Sequence, residues 1–141
     1  MTNVPVEELL DIRKTHFRFE IENKINNLKS DEDLESMAKK WTNNNLDALK
    51  IAKEIYGVNV SQEEVTKYIE GNVAPFHFKE SEAYANALGL SLYELDFIFD
   101  RDIYVMDTLW NKLTPVLMEK HPQLDGENQN EIFGKDKKRI L

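Results

Sequence analysis

Apolar residues recur along this chain at helical spacing. Leu10, Phe17, Ile21, Ile25 and Leu28 lie three, four or seven residues apart, which predicts one amphipathic helix over residues 5–29 with that row turned inward. The run Phe17-Arg18-Phe19-Glu20-Ile21 also alternates as a strand does, but no second strand pattern lies near enough to pair with it, so the helix is preferred. Three serines stand three residues before an acid and just ahead of an apolar-periodic stretch: Ser30 with Asp33, Ser61 with Glu64, and Ser91 with Glu94. In such a pair the serine oxygen caps the helix and the acid reaches back to the cap, so helices should start near 31, 62 and 92. Gly57, Gly71 and Gly89 stand where helices should stop.

The resulting set is helices over 31–43, 45–56, 62–70, 78–88 and 92–119. Pro115 should kink or interrupt the last, since it lacks an N–H and clashes with the preceding turn. Residues 121–141 are polar, with a basic run over 135–139 and one sticky spot at Ile132-Phe133, and read as a mobile tail. The expected fold is all-α: a five- to six-helix bundle with a long C-terminal helix. Its expected parts are an N-terminal helical arm (1–30), a central domain (31–102), a helical extension (103–120) and the polar tail (121–141).

The most patterned stretch runs from Val60 to Leu95. A capped short helix ends at Gly71, Pro75 follows four residues later, and after one more helix comes Ala87-Leu88-Gly89-Leu90-Ser91-Leu92-Tyr93-Glu94-Leu95. This resembles the second half of the Cro/CI-type (XRE-like) helix-turn-helix domain, with Leu49 to Val58 as the first helix of the turn and the small Ala52 allowing close approach. In such a core Val65 and Tyr68 turn inward, and Leu88, Leu92 and Leu95 close it beneath. The resemblance implies a transcriptional regulator, of a phage or other mobile element, that binds DNA as a homodimer. It makes 62–70 the recognition helix, with Ser61, Gln62, Glu63, Thr66 and Lys67 facing base edges. Gln pairs with adenine, Glu accepts from cytosine, and Thr contacts base or phosphate.

Charge changes this picture. The net charge is −8, and residues 31–102 carry fifteen acids against seven bases while the flanks balance. DNA affinity rests largely on Lys and Arg neutralising phosphates, and this region has the wrong sign for it. Repair could come from Lys39, Lys40, Lys50 and Lys53, or from the basic tail. The alternative is an acidic protein-interaction module on a helix-turn-helix scaffold, of the antitoxin, immunity-protein or phage-inhibitor kind, occupying a groove that normally holds nucleic acid.

Other chemistry finds little footing. There is no cysteine, which removes disulfides and thiolate sites. His16, His77 and His121 are far apart with no helical partner, so no metal site or cofactor is expected. Asp96, Asp100 and Asp107, with Asp102 nearby, read as a solvated helical face. No phosphate loop or nucleophile elbow occurs, so no catalytic residue is assigned and no enzyme is expected. No signal peptide or stretch of about 18 apolar residues is present, which reads as a soluble cytoplasmic chain. The last helix is apolar on more than one stripe. Phe97, Tyr104, Met106, Trp110 and Leu113 are candidates for a dimer interface, unless the N-terminal helix covers them.

Overall fold

Two serines set helix starts as the sequence predicts. Ser61 Oγ accepts from the Glu64 N–H at 3.1 Å while Glu64 Oε1 accepts from the Ser61 N–H at 2.9 Å. Ser91 and Glu94 repeat the exchange at 3.1 and 3.0 Å. Gly89, at φ 72°, ends the helix before it: the Leu90 N–H reaches the Ala85 carbonyl at 2.9 Å and the Gly89 N–H that of Asn86 at 3.1 Å. This paired arrangement satisfies carbonyls that a helix end orphans.

The computed structural model describes residues 4–26 and 31–120. Ser30, His121 and the whole segment 121–141 lie outside the described residues. The protein is all-α: among the described residues every regular element is helical. A 3-10 turn (Val6–Leu9) precedes α1 (Ile12–Asn26) and the long α2 (Asp31–Tyr56). Then come α3 (Gln62–Asn72), a 3-10 turn (Ala74–Phe76) and α4 (Lys79–Leu88). A single helical turn, α5 (Leu92–Glu94), widens into a π-helical segment (Leu95–Phe99) before α6 (Arg101–Lys120). None of the described helices is long and apolar enough to cross a membrane.

Five expectations need correction. α3 does not stop at Gly71 but runs on to Asn72, since Gly71 does not take the left-handed φ that a glycine stop uses. The helix over 5–29 is broken, because the Asp11 carboxylate accepts from the Arg13 N–H at 2.8 Å and starts α1 afresh at Ile12. Its inner face is polar as well: Phe17 is 47% exposed, while Thr15 and Arg18 are buried. The helices 31–43 and 45–56 are one, running straight through Asn43-Asn44-Asn45. Leu34, Ala38, Thr42, Leu49 and Ala52 form one buried stripe across that run, and packing outweighs the few tenths of a kcal/mol, up to about 0.7, by which each Asn disfavours helix. The helix 92–119 is interrupted, but at the π segment and not at Pro115. Pro115 and Asn111 are both exposed, so the carbonyl that loses its partner faces water.

One hydrophobic core joins these elements. Val6 and Leu10 from the N-terminal turn meet Ile51 and Ala52 of α2, Val65 and Ile69 of α3, and Val105, Leu109, Leu113 and Leu117 of α6. Beneath the capped turn Leu95 is buried, whereas Tyr68, Leu88 and Leu92 are half-buried. α1 packs along α2 through a buried hydroxyl pair, with Thr42 Oγ1 donating to Thr15 Oγ1 at 3.2 Å.

Candidate functional site

α3 carries all but the first of the five residues predicted to face DNA. Ser61 spends its hydroxyl on the cap. Arg101, at the start of α6, reaches across to α3. Its Nε donates to Gln62 Oε1, and its Nη2 to the Gln62 carbonyl and to Thr66 Oγ1, all at 2.8 Å. Gln62 also donates from Nε2 to the Val4 carbonyl at 2.9 Å. Gln62 and Thr66 therefore fasten α3 to α6, and Gln62 also ties it to the N-terminal segment at Val4. Glu63 and Lys67 project into solvent and pair with each other at 3.4 Å. Further round, Lys112 of α6 holds Glu64 at 2.7 Å and donates to the Asn59 carbonyl.

Two of the five candidate dimer residues are used inside the chain. Met106 and Leu113 belong to the core, so they are not available to a second subunit in this fold. Phe97, Tyr104 and Trp110 are half-buried and pack against that core, and Phe97 stacks on Tyr93 with ring centroids 4.6 Å apart. The extra apolar stripe is covered by the N-terminal turn, α2 and α3.

The acids read as a solvated face are not one. Asp102 is 0% exposed and Asp96 is also buried. Arg18, only 5% exposed, crosses from α1 to meet the group: Nη2 donates to Asp102 Oδ1 at 2.8 Å, and Nε lies 3.4 Å from Asp100 Oδ1. Lys14 adds a second cation 3.7 Å from Asp102. The π segment explains why arginines gather here. Its closing bond runs from the Asp100 N–H to the Leu95 carbonyl at 2.8 Å. Arg18 then donates to the Phe99 carbonyl at 3.2 Å and Arg101 to that of Phe97 at 3.4 Å. The guanidiniums satisfy carbonyls that an irregular helical turn leaves open. On the far side His77, set by the 3-10 turn after α3, donates from Nε2 to Asp96 Oδ2 at 2.6 Å.

Above this cluster opens a cleft of about 1110 Å³ between α1, α3, α4 and the start of α6. Its lining is mainly apolar and aromatic, with Ile21, Tyr68, Val73, Tyr84, Leu95 and Tyr104 as its walls. Phe76 and Phe78 stand at its mouth, 63% and 70% exposed. The floor is acidic. Burial pushes Asp100 up to about 6, helped by Asp102 and Asp96 and opposed by Arg18 and Lys14. Burial also raises the Tyr68, Tyr84 and Tyr104 hydroxyls, and in each case a carboxylate adds to the rise: Asp107 for Tyr68, Asp100 for Tyr84, and Asp100, Asp96 and Asp107 for Tyr104. A negative potential in a half-dry cleft opposes a further anion on each phenol. No group of three or more His, Asp or Glu among the described residues is placed to hold a metal ion.

Arg18, Arg101 and the His77–Asp96 pair are the residues that sequence reading missed. Arg18 left one trace, a lone charge between Phe17 and Phe19. Arg101 and His77 left none. Comparison of the chain with known protein families, characterised proteins and solved structures returned no match.

Proposed function

We propose that this chain is a protein-interaction module that takes up a segment of its partner in the cleft between α1, α3, α4 and α6. The observation that carries this reading is the cleft itself, wide and apolar, with two solvent-exposed phenylalanines at its mouth. Aromatic side chains that expose most of their ring mark interaction surfaces more often than chance placement does. The acidic balance of residues 31–102 supports a partner of basic or apolar character and disfavours nucleic acid.

The test is capture from cells that make the protein. Ala83 lines the cleft from the exposed side of α4, so Ala83→Trp fills the space with little effect on the core. The expected result is a protein retained by the wild-type chain and lost with Ala83→Trp, at unchanged helicity. Equal retention by both would overturn the reading.

A second reading keeps the resemblance to helix-turn-helix regulators. Its supporting observation is the capped α3 followed by the capped turn at Ser91. Reading bases with α3 would require Arg101 to release Gln62 and Thr66. The wild-type chain should then bind its own upstream DNA with an affinity that falls with salt, and Gln62→Ala with Lys67→Ala should remove that binding. Absence of binding at low and at physiological salt would end this reading.

A further inference from the structure

The cleft is wider than the usual small-molecule pocket. Its volume of about 1110 Å³ exceeds the range of about 300–1,000 Å³ that such sites occupy. Its walls are four separate helical elements, and its mouth is open, which suits a side-chain row on a rod about 10–12 Å across better than a small compact ligand. Its charge then selects the rod. The lining holds Glu80, Asp96 and Asp100 against Lys24 and His77, and Glu80 stands exposed at its rim. Asp96 already engages His77, and Asp100 shares Arg18 with Asp102. The rings at the mouth and walls, Phe76, Phe78 and Tyr84, offer faces to a cation, and a lysine or arginine lays an apolar stem on such rings while its head meets carboxylates.

We infer that the occupant of the cleft is an amphipathic helix of a partner protein, with its apolar stripe against Val73, Tyr84 and Tyr104 and a lysine or arginine beside that stripe meeting the exposed Glu80. This inference rests on the interaction-module reading and names its partner's chemistry. A second copy of this chain is a poor occupant, because its net charge of −8 sets like charge against like at the cleft. Nucleic acid meets the same repulsion. A helix laid in a groove through residues one turn apart needs no other feature of the fold.

The probe is a short amphipathic helical peptide built of Leu and Lys, compared with its counterpart in which every Lys is Glu. Each is titrated into the full isotopically labelled chain while backbone amide signals are followed. The expected result is saturable shifts around Val73, Phe78 and Tyr84 with the Lys peptide, weaker at higher salt, and none with the Glu peptide. Glu80→Lys, on an exposed position, should weaken binding about tenfold or more, and Ala83→Trp should abolish it with helicity unchanged. Equal binding of the Glu peptide, shifts confined to α2 or to the outer face of α6, or no shifts with either peptide would overturn the inference. The capture experiment separates the two claims. A partner lost with Ala83→Trp but joined through an acidic segment would refute this inference alone, and a partner indifferent to Ala83→Trp would refute the reading beneath it.

Discussion

Arg18 is the residue on which the N-terminal half of the molecule turns. It carries a charge into a site where Asp102 has no solvent, and the two neutralise each other there, with Lys14 and Asp100 as further members of the cluster. Removing Arg18 leaves the buried Asp102 with Lys14 alone, 3.7 Å away and without the 2.8 Å hydrogen bond, so Arg18→Leu should destabilise the fold by about 3 kcal/mol in urea unfolding. Arg18→Lys should recover only part of this, since lysine keeps the charge but loses the fork that spans Asp100, Asp102 and the Phe99 carbonyl. Asp100 gives a second test. Its carboxyl is raised from 3.8 to about 6, so between those values the folded chain holds a proton that the unfolded chain has released. The stability this proton contributes is full below pH 3.8 and is lost as pH rises through about 6. Asp100→Asn removes the titration, so the melting temperature of the variant relative to wild type should climb between pH 4 and pH 7. A difference that stays flat across that window would mean that Asp100 is not held in this environment. In the sequence Arg18 leaves only a lone charge between two phenylalanines and Asp100 reads as solvated, because apolar periodicity has no way to register a helix whose inner face is Thr15 and Arg18.

Helix ends were far more legible than helix interiors. The serine caps at 61 and 91 and the stop at Gly89 are local chemistry, set by residues within four positions of one another. The union of 31–43 with 45–56 and the π segment at 95–99 depend instead on what α1, α3 and α6 press against them. Pairs of substitutions check the local part. Gly71 is the next-to-last residue of α3 and an added Cβ there meets open space, so Gly71→Ala should stabilise by a few tenths of a kcal/mol, below the ~0.5–1 kcal/mol of a helix centre. Gly89 sits at φ 72° and Gly89→Ala should cost about 1–2 kcal/mol. The same sign for both in thermal unfolding would contradict the assignment of the α4 stop. Pro115 offers a check on α6. It stands within a continuous helix, and Pro115→Ala should stabilise by about 2 kcal/mol, the helical preference for Ala less the entropy the unfolded chain regains. No change would show that the turns around Pro115 contribute little to the folded chain.

At the scale of the whole molecule, residues from both ends of the described chain share one core, and the cleft is assembled from segments as far apart as Ile21 and Tyr104. That assembly is why the sequence could suggest an acidic surface but not a site: Tyr68, Tyr84 and Tyr104 meet only after α3, α4 and α6 have packed. It is also why the five residues of the expected recognition face divide as they do. Gln62 and Thr66 support Arg101, Ser61 supports the helix, and Glu63 with Lys67 faces water. The central claim is that the molecule meets its partner through the cleft and uses α3 as a wall of it. The most direct measurement places a photo-crosslinking amino acid at position 78, at the cleft mouth, or at position 67, on the outer face of α3, and irradiates the cells that make the protein. Adducts to one protein from position 78, absent from position 67, are the predicted result. Adducts to nucleic acid from position 67, with none from position 78, would contradict it.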